Sequence, residues 1–233
     1  MSNTAAVMPR DVIIDLKPIS VEVLPDDADG QVECTIAKMT RLAREDASSP
    51  YIQRDAQAAL AAGRGNPIEG VHRFVRGRMS FVQDEKTAAP YTGLLKGQND
   101  YFVEAITRPR DLSQVIDANG GANGDCDDFS TYAASLLVAL GVPCSFCTVA
   151  ASAASPMDYS HVYVVAYVDG VRVPVDCSHG AVIGWEAPNV YDRRREWPVG
   201  SGASTMSEAL IGIAVVLGAM WLFRQGRQIA AWL

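Results

Sequence analysis

The chain has 233 residues, 48% of them apolar and 20% charged, with a formal net charge of −7. That length suits one ordinary domain with appended segments, or at most two small ones, and the composition provides for a real core. The acidic balance argues against a dedicated nucleic-acid binder, and the cluster Arg193, Arg194, Arg195 reads as a solvated turn rather than a binding patch.

Residues 1–10 are small and polar and read as a tail. The start "MSNTAAVMPRDVIIDL" has no basic flank followed by an apolar core, so no secretory signal peptide is expected. "DVIIDL" and "SVEVL" alternate apolar and polar residues as half-buried strands do. "PDDADG" breaks the chain. From Val32 to Ala47, Ile36, Met39, Leu42 and Ala43 fall at helical spacing. A second helix is predicted through "SPYIQRDAQAALAAG", with Ser49 as N-cap and Pro50 at the first helical position. A third is predicted through "NPIEGVHRFVRGRMSFV", opened by Asn66 and Pro67.

Residues 83–124 read as irregular, a long connection of the kind that often carries function. A helix follows at about 126–140, then three strands in "PCSFCTVAA", "YSHVYVVAYV" and "VRVPVDCS". Asp169-Gly170 between the last two is a two-residue hairpin signal. Residues 178–206 lack periodicity, and 209–223 are apolar or glycine throughout. There is no internal repeat.

The five cysteines are Cys34, Cys126, Cys144, Cys147 and Cys177, an odd number that argues against a disulfide scaffold. Cys126 is the unusual one, set between "GGANGD" and a good helix. With Asp125 as N-cap, it is the first helical residue. Unpaired N–H groups and a partial positive charge there favour the thiolate, which is the nucleophile. Asp125, Asp127 and Asp128 would oppose a thiolate if they faced it, and acids in a first turn are common for capping alone. Taken alone, the stretch is also read as a capped helix with an incidental cysteine.

A catalytic cysteine needs a base, and the base an orienting group. The three histidines are His72, His161 and His179. In a strand, His161 shares a face with Tyr163, Val165 and Tyr167. Pairing about the hairpin sets Val162 near Asp176, with His161 adjacent. An acid beside a histidine on neighbouring strands orients an imidazole. A core histidine with an unrelated acid is the plainer alternative for the hairpin alone, and His179 is the competing base.

The segments "GDCDDFSTYAASLLVALGVP", "YSHVYVVAYV" and "VPVDCS", in that order, resemble the transglutaminase-like family of papain-like cysteine enzymes. The resemblance covers roughly residues 66–178 and is sharpest over 124–177. "HRFVRGRMSFVQDE" and "AITRPRDL" resemble the approach segment of phage-encoded members. The resemblance implies an α+β papain-like core, with a cysteine-bearing helix on an antiparallel sheet. It makes Cys126 the nucleophile, His161 the base and Asp176 its orienter. It implies attack on an amide carbonyl of a protein or peptide, hydrolysis ahead of crosslinking. The family also includes forms without activity, so a structural or assembly protein of a phage particle is the alternative. The Cys126 amide is an oxyanion donor by position, with Gln98 and Asn99 as side-chain candidates. The implied organisation is an N-terminal extension (1–60), a catalytic domain (61–200) and a hinge with an apolar helix (201–233).

No cofactor and no metal are expected. "CSFC" has metal-site spacing, but residues three apart on a strand point to opposite faces. Cys177 and His179 near Asp176 lack a fourth ligand at suitable spacing for zinc. No phosphate-binding or dinucleotide motif is present. The run "ALIGIAVVLGAMWLF", residues 209–223, follows the hinge "GSGAST" and carries no charge. As a helix it spans roughly 22 Å, short of a ~30 Å hydrocarbon core, and Arg224 and Arg227 can snorkel to extend it. Insertion in a membrane is the expectation, with an apolar oligomer interface as the alternative. The expected location is accordingly membrane-associated or within a virion.

Overall fold

The computed structural model describes Pro25 and residues 27–84 and 105–200. The strands expected in 11–24, the side chains of Gln98 and Asn99, and the apolar run 209–223 lie outside the described residues.

The first helix, α1 (Ala28–Asp46), starts earlier than its apolar spacing indicates, because Asp27 accepts from the Gly30 amide and caps it inside the predicted break. Helix α2 (Pro50–Ala62) begins at the expected Ser49-Pro50, although Ser49 makes no side-chain cap bond. Helix α3 (Pro67–Arg76) begins at Asn66-Pro67, where the Asn66 side chain accepts from the Ile68 and Glu69 amides. It ends sooner than predicted. Gly77 closes it, and Met79–Phe81 form a short strand, β1.

The segment read as irregular contains two elements. Helix α4 (Pro109–Asn119) carries proline at its first position and ends on Gly120, whose φ of 76° is the left-handed C-cap conformation. Strand β2 (Ala122–Gly124) pairs in parallel with β1. Helix α5 (Cys126–Ala139) then runs through the centre of the molecule. Its sequence shows one apolar face, yet every residue from Asp127 to Val138 is buried. Helices α1, α2, α3 and α4 and strands β3 and β4 all contact it. Its Tyr132 hydroxyl donates to the buried Asp55 at 2.6 Å, and Ser113 of α4 donates to the same carboxylate oxygen at 2.6 Å. Arg54 binds the other oxygen of Asp55, so one carboxylate ties α2, α4 and α5 together.

Four antiparallel strands follow: β3 (Cys144–Val149), β4 (His161–Val168), β5 (Val171–Val175) and β6 (Arg194–Gly200), in the order β5-β4-β3-β6. The β4–β5 turn is the expected Asp169-Gly170, both at positive φ (51° and 77°) as a type I′ turn requires. Strand β6 lies where no periodicity is visible. Its arginines and the one before it pair with acids elsewhere: Arg193 with Asp29, Arg194 with Glu186, Arg195 with Glu33. The arginine cluster is therefore part of the fold's own ion pairing.

Strand alternation divides the sheet. Phe146, Val162, Val164 and Ala166 face the main core with α5, whereas Cys147, Val149, Tyr163 and Val165 form a second cluster with Ala187. Cys144 and Cys147 fall on opposite faces, as strand geometry requires. The fold is α+β, with the helix that begins at Cys126 packed on an antiparallel sheet.

Candidate active site

The site begins at the junction of β2 and α5. Phe81 of β1 stands opposite Gly124 of β2, two residues before Cys126. Asp125 is the N-cap, its side chain accepting from the Asp127 amide at 3.2 Å, and Cys126 is the first helical residue. Its side chain is half-buried against the main core. The neighbouring acids have other work. Asp128 accepts from the Thr107 amide at 2.7 Å and is buried. Desolvation pushes its carboxyl well above the usual range, the Thr107 amide opposes this, and the nearby Asp125 and Asp84 charges add to it. Glycine at 124 is a packing requirement: a Cβ there would lie 2.6 Å from Asp128 Cβ and Oδ2.

The hairpin supplies the second half. His161 Nε2 lies 2.7 Å from Asp176 Oδ2, with His161 only 8% exposed and Asp176 fully buried. The ladder runs from Val168↔Val171 to Val164↔Val175 and ends there, a register that, extended by one residue, would set Asp176 opposite Tyr163 rather than the expected Val162. The contact survives because the imidazole reaches along the strand. The other oxygen, Asp176 Oδ1, accepts from the Ser178 amide, the Ser178 hydroxyl and the His179 amide at 2.8–3.0 Å. Burial disfavours the Asp176 charge, but the His161 bond and charge and these donors outweigh it and hold the carboxyl at about 2. An ionised Asp176 accepts only, so His161 donates from Nε2, and in the neutral ring Nδ1 is the nitrogen with the lone pair. Tyr163 stacks on the His161 ring at a centroid distance of 5.8 Å. The Tyr163 hydroxyl is fixed by Glu186 and Cys147.

Two contacts bring the halves together. Ser130, one turn along α5 from Cys126, donates to the carbonyl of Val162, the neighbour of His161, at 3.1 Å. On the other side, the Phe81 ring meets the His179 ring at 5.0 Å, and His179 meets His161 edge-on at 4.7 Å. A continuous set of contacts thus runs from the lead-in of Cys126 to the imidazole. Phe81 and His179 are the site residues that sequence reasoning missed or misplaced. Phe81 falls in the predicted tail of a helix, and nothing local signals its parallel pairing. His179 is weighed in the sequence only as a rival base, whereas here it flanks His161. His72 packs against the Asp176–Gly180 turn, its Nε2 2.9 Å from the carbonyl of Gly180 and close enough to Asp176 to interact with its backbone and charge.

Burial sorts the remaining thiols. Cys144, Cys147 and Cys177 are buried. Desolvation pushes all three up, Cys144 to about 12. Cys34 is exposed on α1. Among the described residues, two sets of side chains bring ligand atoms within 4.8 Å of one another: His161, Asp176 and His179, and the acids Asp84, Asp125 and Asp128. No helix among the described residues is long and apolar enough to cross a membrane.

No protein-family model matches the sequence, and no curated protein matches it. Among solved structures the chain is similar to a crystal structure of a TGase, at 13% sequence identity and a TM-score of 0.37. The likeness covers 70% of this chain and 36% of the TGase chain.

Proposed function

We propose that the protein performs thiol-dependent amide chemistry, with Cys126 as nucleophile, His161 as base and Asp176 as orienter. The observation that supports this most is the buried 2.7 Å His161–Asp176 pair, tied through Val162 and Ser130 to the helix that starts at Cys126. The helix end favours negative charge on the sulfur. His161 Nδ1 takes the thiol proton, and sulfur attacks the carbonyl carbon. The C–N bond breaks as His161 returns the proton to the leaving amine. Water resolves the thioester: His161 takes its proton, hydroxide attacks, and the thiolate leaves. The Cys126 amide is the proposed oxyanion donor. The substrate class is a protein or peptide amide.

The test uses alkylation by iodoacetamide. Cys34 is the exposed competitor, so the reaction is followed in Cys34→Ser. Cys126 should react roughly tenfold or more faster than Cys34 does in Cys126→Ala. His161→Ala should bring Cys126 down to the rate of an ordinary thiol. Equal rates at Cys34 and Cys126 would reject the assignment.

A further inference from the structure

The hydrogen bonds around Asp176 fix the tautomers of two histidines at once. His161 donates from Nε2 to Asp176 Oδ2 at 2.7 Å, so in the neutral ring Nδ1 is the nitrogen with the lone pair. Ser178 Oγ lies 2.9 Å from Asp176 Oδ1 and 2.9 Å from His179 Nδ1. A carboxylate only accepts, so the single hydroxyl proton of Ser178 goes to Asp176. The serine oxygen is then the acceptor, and His179 donates from Nδ1, leaving Nε2 unprotonated. In their neutral forms the two imidazoles, with ring centroids 4.7 Å apart, therefore each keep one nitrogen without a proton, and both N–H groups are anchored on one carboxylate system.

A metal-binding histidine typically has this arrangement, with its second ring nitrogen donating to a carboxylate or to a group held by one. We propose that His161 and His179, oriented by Asp176 and Ser178, bind one Zn2+, and that the bound ion takes the His161 lone pair away from Cys126. Two nitrogen donors select a borderline-soft cation over Mg2+ or Ca2+, which take oxygen. His161 is buried and His179 exposed, so an ion at the site is reached from solvent on the His179 side, and each nitrogen would lie about 2.0–2.1 Å from it. Water fills the remaining positions. Spacing along the chain conceals the pair, because His161 and His179 lie on either side of the hairpin and only the fold unites them. The binding half stands on this geometry alone; the blocking half rests on the function proposed above.

Isothermal titration of the full chain with Zn2+ alone, in a buffer that does not chelate, tests the binding half. One ion should bind per chain, with no comparable binding of Mg2+. His179→Ala is the decisive variant: the side chain is exposed, and the backbone amide that serves Asp176 is retained. It should weaken Zn2+ binding about tenfold or more, with thermal unfolding confirming the fold. Cys34→Ser should bind as the wild type does. Absence of binding in the wild type, or unchanged binding in His179→Ala, would overturn the site. For the blocking half, Zn2+ should slow Cys126 alkylation in Cys34→Ser, and a chelator should restore it. Unchanged alkylation with zinc bound overturns the blocking alone. A Cys126 that is unreactive without zinc counts against the thiol reading and leaves the titration result standing.

Discussion

Asp176 and Asp128 are both buried carboxylates, and their environments push them in opposite directions. Burial opposes the charge of each, but Asp176 has four donors, whereas Asp128 has only the amide and side chain of Thr107 and faces two acidic neighbours. For Asp176 the folded carboxyl is depressed to about 2, against an unfolded value near 3.9. Its contribution, roughly 2 kcal/mol, is therefore present above about pH 4 and lost as pH falls through about 2. Urea unfolding of Asp176→Asn should show a flatter stability profile between pH 4 and pH 2 than the wild type; parallel profiles would contradict the carboxylate's assigned state. For Asp128 the folded carboxyl is raised, so stability is greatest below the unfolded value and falls as pH rises toward the folded one. Asp128→Asn keeps an acceptor for the Thr107 amide and removes the charge. Its melting temperature should exceed that of the wild type at pH 8, with the gap closing toward pH 4. A lower melting temperature at pH 8 would mean that the charge itself is needed, as in a bound cation.

At the scale of elements, what could be read in the sequence was what local rules govern. Proline after a polar cap marked the starts of α2 and α3, and Asp169-Gly170 marked the β4–β5 turn, because these depend on neighbouring residues alone. The Cys126 position was legible for the same reason, and the His161–Asp176 pair because a tight hairpin fixes register to within a residue. Helix α4 was hidden because its Pro109 reads as a breaker before it reads as a first helical residue. Strand β6 was hidden because its arginines are exposed to view in sequence and paired with distant acids in the fold. The β1–β2 pair was hidden because a three-residue parallel pairing leaves no period. That pair sets the entry angle of the chain into α5, which makes Gly124 a sensitive point. In Gly124→Ala the new Cβ meets Asp128 at 2.6 Å, and either β2 or the first turn of α5 must shift. The expected loss is roughly 1–3 kcal/mol by chemical denaturation, with slower alkylation of Cys126 because its helix end moves. Wild-type stability and reactivity together would show that the junction yields without consequence.

For the whole molecule, the sheet and every proposed catalytic residue are complete by Gly200, the last residue of β6. Residues 209–223 follow as fifteen positions without a charged side chain. A soluble surface helix carries charges on one side, and an apolar surface of that extent is covered by lipid or by other chains. The sequence therefore predicts that this stretch anchors the chain in a bilayer. Truncation after Gly202 removes no residue of β6 and none of its pairing with β3, so the shortened chain should keep the melting temperature and the Cys126 alkylation rate of the full chain. The full chain should float with phosphatidylcholine vesicles on a density gradient, and the truncated one should stay at the bottom. A full chain that remains monomeric and unbound without detergent would instead have buried the stretch on its own domain. The truncated form would then melt lower, because the cover it removes would be part of the core. The two measurements thus separate an anchor from a packing element, and neither outcome depends on what Cys126 attacks.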